Sequence, residues 1–191
     1  LFRREILPIP TVNGVVDQAE TTRPGTQASK LAELKSSFEN EAMSQRFPQI
    51  GWHVTAGNAS QISDGAAAML IMSRRMADQL GLKPRARFVA FDVRGDDPLL
   101  MLTAPISSSR KAIDKSGLKL EEIDHIEVNE AFASVPLAWQ REFQVDNAKL
   151  NPRGGAIALG HPLGASGVRL MSTMLHALED NGQRYGLQTM C

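Results

Sequence analysis

The spacing of apolar and polar positions changes along the chain, and its first third shows little periodicity. Residues 1–24 carry three prolines and predict extended or loop structure. Ser29 is predicted to cap a helix, because Leu31, Leu34 and Phe38 follow at i, i+3 and i+7 spacing. Residues 45–57 have no regular pattern and are predicted to be irregular.

The middle of the chain contains a short apolar run followed by helix signals. Residues 66–72 suit a buried strand between closely packed layers. Ser73 is predicted to cap a short helix that stops near Gly81. From residue 87 onward, predicted strands and helices alternate, which favours a layered α/β domain. These elements are strands over 87–93, 123–128, 154–159 and 185–190, and helices over 105–116, 131–143 and 164–178.

Composition narrows the class of protein without naming it. The 191 residues are enough for one sizeable domain or two small ones. Lys plus Arg and Asp plus Glu both number 21, and this zero net charge argues against a nucleic-acid partner. No apolar run approaches the roughly 20 residues that span a bilayer.

Cysteine usage and the chain ends add two expectations. Cys191 is the only cysteine, so no internal disulfide can form and a reducing compartment is expected. It is also the last residue, and the chain begins with Leu1 and not with Met, so we expect both ends to be cut. The first residues show no signal-peptide pattern.

The densest chemical signal is the segment 151–167, which contains five glycines and His161. It could be a tight connection between elements or a phosphate cradle, although the P-loop Lys and the Rossmann glycine spacing are both missing. It could also hold His161 rigidly between Gly160 and Pro162 for acid–base catalysis. His53, His125 and His176 have no metal-ligand spacing, and we expect no metal.

Two further segments carry candidate site residues. Asn129, in the segment 129–133, follows a predicted strand, and its amide could serve an oxyanion or could cap the next helix. Residues 55–60 and 64–68 are rich in small side chains, which permit either a plain turn or a narrow channel.

Together these segments resemble the thiolase family of acetyl-CoA acyltransferases. Similarity in order and spacing extends over essentially the whole chain, and the Gly-His-Pro and Asn-Glu-Ala-Phe-Ala motifs are the most specific. The matching segments are 55–60, 64–68, 129–133, 154–167 and 186–191.

The resemblance implies an α/β fold with α-β-α-β-α layers, of which this chain is the C-terminal half. Residues 1–60 would be a remnant of the loop domain that covers CoA, and 61–83 the last strand and helix of the N-terminal domain. Residues 84–191 would be the C-terminal domain, truncated at its end. Relatives cleave a 3-ketoacyl-CoA with CoA, or run the reverse Claisen condensation. They form dimers or tetramers.

The resemblance also implies roles for individual residues. Cys191 matches the cysteine that acts as acid and base, His161 the histidine that activates the nucleophilic cysteine, and Asn129 the asparagine of the oxyanion hole. The nucleophilic cysteine itself is not in this chain, so the chain alone is expected to be inactive. CoA, a substrate and not a prosthetic group, would contact four positions: Ser60, Ala131, Phe132 and Arg23. Arg23 could equally be a solvated residue in a turn, without a role in CoA binding.

The chain departs from common thiolases before Thr55, where it is longer and includes Phe47, Pro48 and Trp52. We hypothesise that these extra residues reshape the acyl pocket. The expected protein is a cytoplasmic thiolase of lipid β-oxidation. The alternative is a thiolase-like carrier of acyl-CoA or lipid that has lost its chemistry.

Overall fold

The computed structural model describes residues 2–191, and regular elements are concentrated after residue 103. The strands are β1 (Ile9–Thr11), β2 (Gly14–Val16), β3 (His125–Val128) and β4 (Gly186–Thr189). The helices are α1 (Ala28–Leu31), α2 (Glu41–Arg46), α3 (Arg74–Gln79), α4 (Ala104–Ser116), α5 (Ser134–Phe143), α6 (Ala156–Leu159) and α7 (Leu163–Asp180).

The centre of the molecule is the parallel pair of β3 and β4, in which Val128 lies opposite Thr189. All four residues of β3 are buried, as expected for a strand covered on both faces. Helix α7 packs against both strands, α5 against β3, and α4 against β4. This arrangement confirms the predicted layered α/β domain.

The two faces of β3 have different chemistry because side chains alternate along a strand. Ile126 and Val128 face a core that includes Trp139 of α5. The Trp139 indole stacks on Phe143 at 4.3 Å and donates a hydrogen bond to Ser109 of α4 at 2.9 Å. On the opposite face, the buried side chains of His125 and Glu127 contact each other at 2.6 Å.

Several predicted elements are confirmed by their termini. Ser73 caps α3 by accepting a hydrogen bond from Met76 N at 3.2 Å. Gly117 ends α4 with a φ of 70°, and Gly182 follows α7 with a φ of 62°. Both dihedrals lie in the left-handed region that favours glycine.

Two predicted strands, at 66–72 and 87–93, do not form. A strand needs a hydrogen-bonded neighbour, and neither segment pairs with any of residues 2–191. Their apolar side chains are correspondingly exposed, with Leu70 at 76% and Val93 at 93%. The strand predicted at 154–159 is also wrong: it contains the short helix α6, because Gly155 and Gly160 bend the chain at either side.

The first third of the chain differs most from prediction. Residues 9–16 form a β-hairpin within the segment predicted to be extended or loop structure, and α2, capped by Asn40, runs into the first two residues of the segment predicted to be irregular. The helix expected after Ser29 ends at Leu31, and Ser29 lies inside it and does not cap it. Beyond the helix, Ser36 forms an isolated antiparallel bridge with Thr55.

Candidate active site

Three of the predicted site residues lie at the carboxyl ends of the two parallel strands. Asn129 directly follows β3, and its backbone N–H donates to Thr189 O of β4 at 3.0 Å. Cys191 comes two residues after Thr189, so it follows the neighbouring strand at the same edge. This is the edge at which α/β folds gather ligand-binding groups.

His161 reaches this edge from the glycine-rich loop between α6 and α7. Its backbone N–H donates to Gln61 O at 3.0 Å, and its Nε2 lies 3.4 Å from the amide nitrogen of Asn129. Gly160 is required beside it, because its φ is 89° and a Cβ there would overlap the Ser63 side chain. The structure therefore holds the imidazole rigidly against Asn129.

The structure excludes one of the two interpretations of Asn129, the helix cap. Helix α5 begins at Ser134 with Ala133 at its N-cap, so Asn129 does not cap it. Asn129 is 1% exposed, and its side-chain oxygen has no hydrogen-bond partner among residues 2–191. The oxyanion interpretation remains open: the amide nitrogen, which faces His161, is the group that could donate to developing negative charge.

The environments of His161 and Cys191 favour their uncharged forms. Burial lowers the pKa of His161 below its usual value, and the positive charge of Arg169 acts in the same direction. Partial desolvation by the surrounding protein also raises the pKa of the Cys191 thiol, although the residue keeps a solvent-exposed surface. At neutral pH the site thus combines a neutral imidazole, which can accept a proton, with a protonated thiol, which can donate one.

The predicted CoA-contact residues lie together, except Arg23. The backbone N–H of Ser60 donates to Ala131 O at 3.0 Å, and Ala59 pairs with Phe132. Ser60 and His161 line a small open cleft of about 180 Å³. Phe132 packs edge-on against Phe38, with their ring centroids 5.9 Å apart.

Arg23 lies in an exposed turn outside the cleft lining. Its carbonyl accepts hydrogen bonds from the backbone and side chain of Thr26.

Sequence reasoning missed two residues that connect the site. The side chain of Asn151 accepts from Val128 N at 2.8 Å and donates to Val128 O at 2.9 Å. It also donates to Glu130, whose second carboxylate oxygen accepts from Ile157 N at 3.0 Å. Asn151 and Glu130 thereby join the strand end that carries Asn129 to the loop that carries His161. Both lie in the motif segments 129–133 and 151–167, in which the sequence signals pointed only to the glycines, His161 and Asn129.

The residues before Thr55 form a small unit around α2. The Trp52 indole donates to Ser44 Oγ at 2.9 Å, and the Arg46 guanidinium lies 5.1 Å from the centre of the Phe47 ring. In residues 2–191 no three His, Cys, Asp or Glu side chains converge on a point where a metal ion could bind. The helices of this same range are too short or too polar to cross a bilayer.

A buried amide, a neutral imidazole and a thiol at one sheet edge form a site suited to proton transfer and oxyanion stabilisation beside a carbonyl group. Comparison with known proteins agrees with that class. Residues 82–191 match the thiolase C-terminal domain, and residues 1–75 match the thiolase N-terminal domain. The chain belongs to the thiolase family.

Named relatives extend over the whole chain. The steroid 3-ketoacyl-CoA thiolase FadA6 of Mycobacterium tuberculosis is 48% identical over 190 residues, covering 100% of this chain and 44% of its own length. An acetyl-CoA acetyltransferase of Pseudomonas aeruginosa is 45% identical over 195 residues, covering 100% of this chain and 47% of its own. The chain spans about half the length of the curated relatives it matches.

Solved structures agree with the predicted fold class. The acetyl-CoA acetyltransferase of Bacillus anthracis superposes with a TM-score of 0.88 at 36% identity, covering 100% of this chain and 47% of the other. The human mitochondrial 3-ketoacyl-CoA thiolase in complex with CoA gives a TM-score of 0.87 at 38% identity, covering 96% and 44%. The thiolase-like fold predicted from the sequence is confirmed.

Proposed function

We propose that the full-length polypeptide carrying this chain is a thiolase that cleaves a 3-ketoacyl-CoA with CoA, giving acetyl-CoA and a shortened acyl-CoA. The reverse reaction is a Claisen condensation. The observation that carries the proposal is the contact of His161 Nε2 with the buried amide of Asn129, at the strand edge that Cys191 also follows.

In this proposal the chain supplies the acid–base half of the site. A nucleophilic cysteine from outside residues 1–191 attacks the 3-keto carbon, and His161 takes up its thiol proton. Cleavage of the C2–C3 bond leaves its electron pair on the departing acetyl-CoA enolate. Cys191 gives its S–H proton to that carbon and regains a proton when the thiol of CoA attacks the acyl-enzyme.

The raised pKa of Cys191 suits this role. A thiol with its ordinary pKa already holds its proton at neutral pH, and partial desolvation strengthens that preference. The proton is therefore available when the enolate forms. Asn129, as a buried donor, would stabilise the oxyanion, a contribution worth about 10²–10³ in rate.

CoA is proposed as the substrate that occupies the cleft beside Ser60, with Ala131 and Phe132 along its pantetheine arm. Arg23 is the weakest member of this set, because it lies in an exposed turn. We further propose the domain division given above: loop-domain remnant at 1–60, N-terminal-domain remnant at 61–83 and C-terminal domain at 84–191.

The biological setting is proposed from the same similarities. We propose a homodimeric or homotetrameric, cytoplasmic enzyme of β-oxidation, since a chain whose only cysteine is Cys191 suits a reducing compartment.

The unit around α2 is proposed to shape the acyl pocket, because Phe38, just before it, contacts Phe132. Deleting residues 43–50 from the full-length protein should then change the preferred acyl chain length, and an unchanged preference would remove this part of the proposal.

The test of the proposed function is release of acetyl-CoA from 3-ketoacyl-CoA substrates of increasing chain length, and from a CoA thioester with a steroid side chain. Turnover that requires both CoA and His161 supports a thiolase. Binding of acyl-CoA without turnover would instead favour the carrier, and the isolated 191-residue chain, which lacks a second cysteine, should not turn over in either case.

A further inference from the structure

The imidazole of His161 has a second polar contact, on the ring nitrogen that faces away from Asn129. Its Nδ1 lies 2.6 Å from the hydroxyl of Ser166, in the first turn of α7. Ser166 is fully buried, at 0% exposure. Its hydroxyl also lies 2.9 Å from the carbonyl oxygen of Pro162, four residues earlier.

The single proton of the Ser166 hydroxyl determines which tautomer the His161 imidazole adopts. A serine hydroxyl has one proton to donate and lone pairs to accept with. Serine in a helix commonly donates to the carbonyl four residues before it, which here is that of Pro162. The Ser166 oxygen is then an acceptor toward Nδ1, so the histidine proton must sit on Nδ1.

The contact on the other side of the ring is compatible with the same form. The amide nitrogen of Asn129 carries only hydrogens, which favours Nε2 of His161 as the acceptor, but this contact is long, at 3.4 Å, and does not fix the tautomer without Ser166. Both contacts therefore agree on an imidazole with Nδ1 protonated and Nε2 bare. A bare Nε2 at this edge is the atom that could take a proton from a nucleophilic thiol.

We propose that Ser166 is a positioning residue that holds His161 in the Nδ1-protonated tautomer and aims Nε2 at the reacting groups. The importance of this tautomer for catalysis rests on the proposed thiolase function, but the tautomer itself does not. Ser166 is suited to this role because it belongs to a long helix, α7, that packs on both central strands and so fixes the position of the hydroxyl.

The electrostatic surroundings support the same state. Arg169, one turn further along α7, is the charged residue that acts on His161 within the described part of the chain, and its positive charge disfavours an imidazolium. Ser166 would thus select which nitrogen holds the single proton, while burial and Arg169 keep a second proton off the ring.

The test is nitrogen-15 NMR of the full-length protein labelled at histidine, with the His161 signals assigned by their loss in His161→Gln. We expect the wild type to show a protonated Nδ1 and a bare Nε2. Ser166→Ala should give a mixture of the two tautomers, Ser166→Thr, which keeps the hydroxyl, should restore the wild-type pattern, and Ser172→Ala on the same helix should leave it unchanged.

Kinetics provide the second measurement. Ser166→Ala should lower kcat for thiolysis about 10- to 100-fold while KM for CoA stays within about twofold, and Ser166→Thr should recover most of kcat. A wild-type spectrum with Nε2 protonated would overturn the proposal, and so would an unchanged tautomer ratio in Ser166→Ala. Absence of thiolysis in the wild type would count against the proposed function alone, because the spectrum still reports the tautomer.

Discussion

Asn151 offers a direct test of how the site is held together. Its main chain pairs with β3, since its N–H donates to Ile126 O at 2.8 Å. The side chain then extends this pairing by one more residue, to both backbone polar groups of Val128. Because Asn129 N binds β4 on the other side, the N–H and C=O of Val128 point toward Asn151.

The free energy of unfolding lost on removing the Asn151 side chain can be estimated from the backbone groups that it would leave without hydrogen bonds. Val128 is 0% exposed, so Asn151→Gly would leave a buried N–H and a buried C=O without partners, at about 1–3 kcal/mol each before relaxation. We expect a net loss of about 2 kcal/mol. Asn151→Ala should lose about 1 kcal/mol more, because the φ of residue 151 is 45°, in the left-handed region.

Hydrogen exchange at the amide of Val128, in the full-length protein, measures this loss locally. A change of about 2 kcal/mol corresponds to a protection factor about 30-fold lower in Asn151→Gly. The exposed Asn147 provides the control, since Asn147→Ala should change stability by less than about 0.5 kcal/mol. Protection in Asn151→Gly within threefold of the wild type would show that the Asn151 side chain does not stabilise the backbone of Val128.

Three further predictions concern chemistry, pH and the core. His161→Ala in the full-length protein should reduce thiolysis by about 10²–10⁴-fold with little loss of CoA binding, as measured by steady-state kinetics and calorimetry. Because the pKa of His161 is lowered, the acid limb of kcat/KM should have its midpoint below pH 6.5, seen in a pH–rate profile. Trp139→Ala should destabilise the protein by about 3–5 kcal/mol in denaturant unfolding, since Trp139 is fully buried and hydrogen-bonded to Ser109.

Each of these predictions has an outcome that would contradict it. Wild-type turnover in His161→Ala would remove the imidazole from the mechanism, and an acid limb above pH 6.5 would mean that the site favours the imidazolium. The lowered pKa of His161 also makes stability depend on pH. Below pH 6.5 the unfolded chain takes up a proton at His161 before the folded protein does, so the free energy of unfolding decreases as the pH falls. For the core, Leu137→Ala on the same helix is the control, because Leu137 is 61% exposed, and an equal loss in both variants would argue against a specific role for Trp139.

The sequence predicted those parts of the fold that depend on local signals. Pro105 and Gly117 bound α4, and Ser73 caps α3, because caps and glycine termini act within one turn. The predictions of strands at 66–72 and 87–93 were wrong because strand formation does not depend on local signals alone. Their apolar pattern suits a strand, but a strand forms only against a hydrogen-bonded neighbour, which no local pattern can reveal.

The candidate site divides in the same way. His161, Asn129 and Cys191 were found from motifs, and the structure brings His161 and Asn129 into contact. Asn151 and Ser166 were missed because their contacts, with Val128 for one and His161 for the other, exist only once the chain has folded. Asn and Ser are common in turns, so their type alone gives no signal of such a role.

Thiolysis of acetoacetyl-CoA by the full-length wild type and by Cys191→Ala is the most direct measurement of the proposed reaction. We expect acetyl-CoA release by the wild type, and a loss of at least about 10²-fold in Cys191→Ala with CoA binding retained. Equal turnover by the two proteins would contradict the assignment of Cys191 as the proton donor. A wild type that binds CoA but releases no acetyl-CoA would contradict the thiolase function itself.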